Sequence, residues 1–312
     1  MAKLDSKEII RVKSMGFLFD KNSEDKFNAR VITENGFVSA NQMKVLGEAA
    51  ERFGNGNVAF TTRLTVEVQG IPFENIEPFI DFLNYNGLET GGTGDKVRPI
   101  VACKGKTCVF GLVPSADIAK RIHDRFYKGY RQVELPHKFK IAVGGCPNNC
   151  VKPDLNDIGI IGMRKPIINK EICRSCGKCA CETVCLMGSA KKSNEDGKIL
   201  IDEKRCNSCG KCIKACPFGA VTQKESGVRI LIGGRWGREG RKGTYISGGY
   251  TVDQALDMIE KIILYYRENA YKKERFADMI ERIGFDKVER ALLNEDIISR
   301  KDIIISKEIN KR

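Results

Sequence analysis

Residues 143–150 read VGGCPNNC, and the reading of the whole chain turns on this stretch. Cys146 and Cys150 flank a proline and two asparagines, a turn-forming run that offers two thiols close together. Well upstream lies a second pair, Cys103 and Cys108. Four thiolates gathered from two distant pairs suit one [4Fe–4S] cube, with a four-thiolate zinc site as the alternative. Outward from these pairs, the chain holds 13 cysteines, none before Cys103 and none after Cys216. The N-terminus, MAKLDSKEII, has no apolar signal core. An odd cysteine count in that setting argues for metal ligation in a reducing cytoplasm and against a disulfide scaffold. The longest uncharged run, Ile141 to Val151, falls far short of the ~18 apolar residues a membrane helix needs. A chain of 312 residues, 42% hydrophobic and 30% charged, has material for packed cores in about two domains. Lys and Arg number 53 against 40 Asp and Glu, so an anionic partner is expected. The composition describes a soluble cytoplasmic metalloprotein.

Between about Pro166 and Lys224 the texture changes, with dense cysteine and few long apolar runs. Cys206-x2-Cys209-x2-Cys212-x3-Cys216-Pro217 resembles the bacterial two-cluster ferredoxins, and Cys173-x2-Cys176-x2-Cys179 is its companion. That resemblance implies one cube on Cys173, Cys176, Cys179 and Cys216, and another on Cys206, Cys209, Cys212 and Cys185. Cys185 stands six positions beyond Cys179, a stretched spacing, and Cys181 is left over. Which of Cys181 and Cys185 is the displaced fourth ligand stays open at this level. Zinc pairs do not account for triplets followed by a displaced ligand and a proline.

The first hundred residues read as mixed α and β. Asn57–Ile71 alternates apolar and polar residues and predicts one strand, with Arg63 in its middle. QMKVLGEAAERFG ahead of it predicts a helix capped by Asn41 and stopped at Gly54. FENIEPFIDFLNYNGL predicts a second helix ending near Gly87. Ser115 caps an expected helix through Tyr127, and Phe139–Val143 reads as a strand. Beyond Gly243 helices are expected at Thr251–Ala270, Glu274–Ile283 and Asp286–Leu293, with a frayed or edge segment after Arg300.

FTTRLTVEVQGI, GDKVRPIVAC, LPHKFK and GGCPNNC, in that order, resemble the siroheme-dependent sulfite and nitrite reductases. The internal cysteine segment and GGRWGREG after it look most like the branch represented by the C-type component of anaerobic sulfite reductase. The resemblance covers roughly residues 25 to 295. Two departures stand out: four residues within the first cysteine pair where many relatives have five, and Leu64 where many have Gln or Asn. The implied fold class is α+β, a siroheme–[4Fe–4S] reductase half-repeat with an inserted 2[4Fe–4S] ferredoxin domain. A ferredoxin-like α/β sandwich lobe would take residues 1–80. A siroheme/[4Fe–4S] lobe would take 81–165 and 226–312, and the insertion 166–225.

The resemblance implies siroheme and three [4Fe–4S] clusters. One cube, on Cys103, Cys108, Cys146 and Cys150, is coupled to the siroheme iron through the Cys150 sulfur. Arg63, Arg98, Lys138 and Lys140 match the family's substrate-binding positions. Cations there would stabilise charge building on the substrate oxygens and help deliver protons. Siroheme carries eight carboxylates, for which arginine forks are natural partners. Arg63, Arg98, Arg235 and Arg238 are candidates, and Gly233 and Gly234 would let backbone N–H groups approach closely. His137, inside LPHKFK, could support the cofactor edge, while His123 reads as structural.

These features point to the catalytic subunit of a sulfite reductase, an oxidoreductase of sulfur metabolism. It would reduce sulfite to sulfide with six electrons, relayed by the inserted ferredoxin domain. No G-x-G-x-x-G follows a strand, so the electrons are expected from a flavin or ferredoxin-type partner. Family members often contain two related halves, which makes pairing of two chains into a homo-oligomer an expectation. The rivals are a siroheme nitrite reductase, a non-catalytic iron–sulfur electron-transfer subunit, and a zinc-bearing nucleic-acid binder. The last lacks aromatic platforms and finger spacing, so neither nucleic acid nor membrane is an expected partner.

Overall fold

The computed structural model describes residues 5–23 and 25–311. Its strands are β1 (Phe17–Phe19), β2 (Lys26–Val31), β3 (Val58–Phe60), β4 (Val66–Pro72), β5 (Val101–Ala102), β6 (Ile141–Gly144), β7 (Ile158–Ile168), β8 (Ala190–Lys192), β9 (Ile199–Ile201), β10 (Val221–Ile232) and β11 (Thr244–Tyr245). The helices are α1 (Ser6–Ser14), α2 (Ala40–Phe53), α3 (Ile76–Tyr85), α4 (Ser115–Ile122), α5 (Ala180–Val184), α6 (Lys211–Ala215), α7 (Val252–Asn269), α8 (Phe276–Ile283), α9 (Phe285–Asn294) and α10 (Lys301–Ser306). Three sheets form, in the orders β1-β2-β4-β3, β11-β10-β7-β6-β5 and β8-β9. The fold is mixed α and β.

The chain divides into two compact units, one of Met1–Ala102, Ala119–Ala142 and Glu260–Arg312, the other of Cys103–Ile118 and Val143–Ile259. In the first unit β2 alternates strictly, with Phe27, Ala29 and Val31 buried and Lys26, Asn28 and Arg30 on the other face. The buried face packs with Leu46 and Ala49 of α2 and Phe79 and Leu83 of α3. Phe17 meets Phe79 edge-on at 5.9 Å. Such aromatic pairs add about 0.5–1.5 kcal/mol beyond burial. A second aromatic group, Phe139, Tyr266 and Phe276, has centroids 5.3–5.4 Å apart.

Several local expectations are corrected here. The single strand over Asn57–Ile71 is a hairpin, β3 against β4, with Phe60 opposite Val66. Threonine side chains break it. The Thr61 hydroxyl lies 2.7 Å from that of Thr65 and accepts the Arg63 N–H at 3.3 Å, while Leu64 N–H donates to the Thr61 carbonyl. Hydroxyls that bond neighbouring backbone favour a turn over a ladder. Arg63 therefore sits on the turn, not mid-strand, and Leu64 adopts the left-handed region at φ +59°. Helix α2 is capped by Ser39, not Asn41: Ser39 and Gln42 form a reciprocal capping box. Helix α4 ends at Ile122, and a wider turn over His123–Lys128 carries the chain on. Lys138 and Lys140 precede β6; between them Phe139 is fully buried and bridges Val97. Lys301–Ser306, expected to be frayed or an edge, is helical. It forms α10, whose end is held by Arg267 donating to the carbonyls of Ile304, Ile305 and Lys307.

In the second unit β7 and β10 form a long antiparallel ladder from Ile158↔Ile232 to Ile168↔Val221. Residues 169–220 thus leave and re-enter at paired positions. They carry α5, α6 and the β8-β9 hairpin around a small core of Cys181, Ala190, Ile199 and Val221.

Candidate metal centres and anion site

Glycine-rich turns of the second unit hold the first cysteine group. Cys103 donates its N–H to the Val143 carbonyl at 3.1 Å, and its sulfur accepts the Gly145 N–H at 3.1 Å. Ser115 braces the same residue, donating from its hydroxyl to the Cys103 carbonyl at 2.8 Å. A Cβ on Gly105 would fall 2.4 Å from the Ser115 hydroxyl, so only glycine fits there. Asn149, at φ +60°, turns the chain between the second pair and ties its amide to Asp154 at 2.7 Å. Cys146 senses the other three sulfurs. Burial raises the Cys146 pKa, the Asn148 N–H opposes it, and the charges of Cys103, Cys150 and Cys108 raise it further. Cys150 is the exposed member of the four.

Two further cavities in this unit separate the remaining cysteines. One is lined by Cys185, Cys206, Cys209 and Cys212, together with Asn148. The other is lined by Cys173, Cys176, Cys179, Cys181 and Cys216. Cys185 accepts the N–H groups of Ser189 and Ala190, both at 3.3 Å. Burial pushes the Cys216 thiol up, but the N–H groups of Phe218, Ala220 and Val221 and the Cys181 thiol bring it below its ordinary value. Burial also pushes the Cys212 thiol up, to about 11, but Cys181 alone of these is almost fully buried. It is 2% exposed, donates to the Cys212 carbonyl at 3.4 Å, and burial pushes its pKa up to about 12. Sulfurs that collect backbone N–H donors suit thiolate ligands, and a buried thiol that donates does not. Among the described residues no group of three His, Cys, Asp or Glu is close enough to hold a single metal ion. The donor chemistry fits clusters, which spread thiolates over the corners of a cube.

The cations lie in the first unit. Arg63 donates from its guanidinium to the Pro99 carbonyl at 2.8 Å and to that of Ile141 at 3.4 Å. Arg98 donates to the Gly92 carbonyl, and its backbone N–H meets the Phe139 carbonyl at 2.8 Å. Burial, then the nearby charge of Arg30, pulls the Arg98 pKa down to about 10. Lys138 and Lys140 flank buried Phe139 and are themselves half-buried. The His137 Nδ1 accepts the Lys138 N–H at 2.8 Å and lies 3.2 Å from an Asp95 carboxylate oxygen, which opposes the lowering of its pKa by burial. Buried Nε atoms of Arg30 and Arg98 have no hydrogen-bond partner, which is what carboxylate-rich siroheme would satisfy.

The GGRWGREG residues lie in the second unit. A Cβ on Gly234 would fall 2.4 Å from the Asn156 carbonyl oxygen, while Gly233 donates to the Asp157 carbonyl. Arg235 binds the Glu239 carbonyl at 2.9 Å, and Arg238 is exposed. Sequence reasoning passed over Arg30 and the bracing role of Ser115. An arginine in an alternating strand and a serine opening a helix both look ordinary until distant backbone meets them.

Residues 93–298 match the family model "Nitrite and sulphite reductase 4Fe-4S domain", and residues 20–84 match "Nitrite/Sulfite reductase ferredoxin-like half domain". The chain belongs to the siroheme-dependent nitrite and sulfite reductase family. It is 36% identical over 255 residues to "Coenzyme F420-dependent sulfite reductase" of Methanocaldococcus jannaschii, covering 81% of this chain and 40% of that protein. It is 36% identical over 263 residues to "Uncharacterized protein MJ0551" of the same organism, 84% of this chain and 90% of the relative. The C-type component of the anaerobic sulfite reductase of Salmonella typhimurium is 29% identical over 159 residues, 46% of this chain and 45% of that one. The fold is similar to the crystal structure of dissimilatory sulfite reductase I, with TM-score 0.69 and 20% identity over 86% of this chain and 69% of that one. Members of this reductase family are siroheme and iron–sulfur oxidoreductases, and the chain carries the family's 4Fe–4S domain. Among the described residues no helix is long and apolar enough to cross a membrane.

Proposed function

We propose that this reductase is the catalytic subunit of a sulfite reductase, taking sulfite to sulfide with six electrons at a siroheme coupled to a [4Fe–4S] cube. The observation that carries the reading is the match of residues 93–298 to the family's 4Fe–4S domain, within which the Cys103 sulfur meets the Gly145 N–H beside Cys146. Siroheme, when bound, supplies the redox iron at which the substrate sulfur is reduced. Cys150 would share its sulfur with that iron and the cube. Arg63, Arg98, Lys138 and Lys140 would hold the substrate oxygens and offset their charge, and the lysines would pass protons to oxygens leaving as water. Arg235 and Arg238 would meet carboxylates of the macrocycle, while the expected N–H approach by Gly233 and Gly234 gives way to packing on the chain's own backbone, the Gly233 N–H being held by the Asp157 carbonyl.

The segment 166–225 would be an inserted two-cluster ferredoxin domain between the 81–165 and 226–312 parts of the siroheme lobe, with residues 1–80 as the other lobe. Its inner cube would use Cys185, Cys206, Cys209 and Cys212. Asn148, between Cys146 and Cys150, shares that cavity, and the Arg164 N–H reaches the Ser208 carbonyl at 2.7 Å. The outer cube, on Cys173, Cys176, Cys179 and Cys216, would receive electrons from a flavin or ferredoxin-type donor. Two such chains would pair in the cytoplasm.

The test is anaerobic purification with siroheme supplied, followed by sulfite and nitrite reduction with a one-electron donor. Siroheme absorption with sulfide formation is expected. Turnover of nitrite alone would move the assignment to nitrite reductase. Iron–sulfur absorption without siroheme would leave an electron carrier.

A further inference from the structure

Arg30 is unusual for a strand residue. It shares the non-core face of its sheet with Asn28, opposite the face that carries Phe27, Ala29 and Val31. Its register partner across the sheet is Glu67, yet the ion pair is loose at 3.8 Å. Instead Arg30 turns to the Gly92 carbonyl at 3.3 Å, the same oxygen that accepts from Arg98. Two guanidinium groups thus converge on one neutral oxygen. Each leaves a buried Nε without a partner. Arg275 adds a third positive charge that Arg98 senses. The opposing carboxylates are Glu67 and Asp95, and Asp95 already pairs with Lys273. Burial lowers the Arg30 pKa, with Glu67 only partly compensating.

Packing like charges in a poorly solvated place costs free energy unless an anion joins them. Close approach is built into the backbone here. A Cβ on Gly92 would fall 2.8 Å from the Pro99 ring, and the Gly92 N–H is held by the Tyr127 hydroxyl at 3.1 Å. The shared carbonyl is therefore fixed, and both forks present their remaining N–H groups from a set position. Guanidinium forks match the two oxygens of a carboxylate or the oxygens of sulfite.

We infer that Arg30 and Arg98 form a receptor for one oxyanion group at the siroheme site, with Arg30 a binding residue in its own right. The inference rests on the siroheme reading above. A carboxylate of the macrocycle and the sulfite substrate present the same chemistry, and the experiment separates them.

Arg30→Gln is compared with the wild-type chain in three measurements. Siroheme titrated into apo chain reports macrocycle affinity, and the KM for sulfite at matched siroheme content reports substrate. Melting of the apo chain with and without sulfate reports the anion site alone. We expect siroheme to bind about tenfold or more weakly, the value of one charge-assisted hydrogen bond. Apo stability should not fall, because a like charge is removed, and the sulfate-induced rise in melting temperature should shrink. Unchanged siroheme affinity with a tenfold higher KM assigns the oxyanion to the substrate. Unchanged affinity, KM and sulfate response would overturn the inference. So would a variant that melts well below wild type, which would make Arg30 structural. If wild-type chain takes no siroheme but only Arg30→Gln loses the sulfate response, the catalytic reading fails and the anion receptor stands.

Discussion

Cys181 and Cys185 lie four positions apart and have opposite surroundings. Cys185 receives two backbone N–H groups, whereas Cys181 is buried and donates to a carbonyl. Cys181→Ser should keep every cluster, because a hydroxyl can make the same donation. Cys185→Ser should lose or convert the cube shared with Cys206, Cys209 and Cys212. Cluster signals counted by electron paramagnetic resonance check this, and the reverse result would exchange the two assignments. The lysines allow a second residue-level prediction. Phe139 anchors the segment in the core, and other cations remain for the siroheme carboxylates. Lys138→Met and Lys140→Met should therefore keep their siroheme. Each should slow sulfite reduction by roughly ten-fold to a hundred-fold, the value of a lost charge-assisted bond of ~1.5–3 kcal/mol. Normal turnover in both would remove them from the site.

The β3–β4 hairpin shows how an element can hide in a correct pattern. Alternation runs through Asn57–Ile71 on both arms, so periodicity alone joins them into one strand. The turn is made by hydroxyls of Thr61 and Thr65 and by a left-handed Leu64, none of which alters the apolar pattern. Asn tolerates left-handed backbone and β-branched residues do not. Leu64→Asn should leave stability intact, while Leu64→Val should cost about 1–2 kcal/mol, measured by denaturant unfolding of the apo chain. Cysteine groups were readable from sequence because cluster ligation imposes short local spacings. Arg30 was not, since its neighbours Gly92 and Arg98 arrive from far along the chain. Helix α7 carries another such long-range feature. Glu260 is 4% exposed and accepts from Tyr130 at 2.6 Å, Lys301 at 2.7 Å and Arg125. Burial alone would raise its pKa, but those donors, Lys301 first, bring it below the usual carboxylate value. Its stabilisation is thus complete above the unfolded carboxylate pKa and fades as pH falls through the lower folded value. Glu260→Gln should cost about 3–5 kcal/mol at neutral pH, with the gap to wild type closing in acid. An equal gap at all pH values would show that its charge is not what matters.

At the scale of the molecule the cysteine arithmetic becomes a metal inventory. Twelve of the 13 cysteines fall into three groups, one at the glycine-rich turns and two in the 169–220 excursion. With Cys181 set aside, as proposed, each group would offer four sulfurs, the complement of one cube. A fully loaded chain should therefore hold about twelve cube irons and about twelve inorganic sulfides, with one more iron in the macrocycle. Iron, sulfide and extracted siroheme measured on the same anaerobic sample separate the alternatives. About eight irons without siroheme would mean that only the excursion carries clusters, and the catalytic reading would fall. About four irons with siroheme would mean the reverse, a reductase centre whose inserted segment holds no cubes. Cys150→Ser sharpens the count, because its sulfur is proposed to serve both the cube and the siroheme iron. That variant should lose the coupled cube and its electronic contact with siroheme while the two cubes of the excursion remain. Iron would then fall by about four per chain. A variant that kept all its iron and an unchanged siroheme spectrum would show that Cys150, the most exposed of its group, is not the shared ligand.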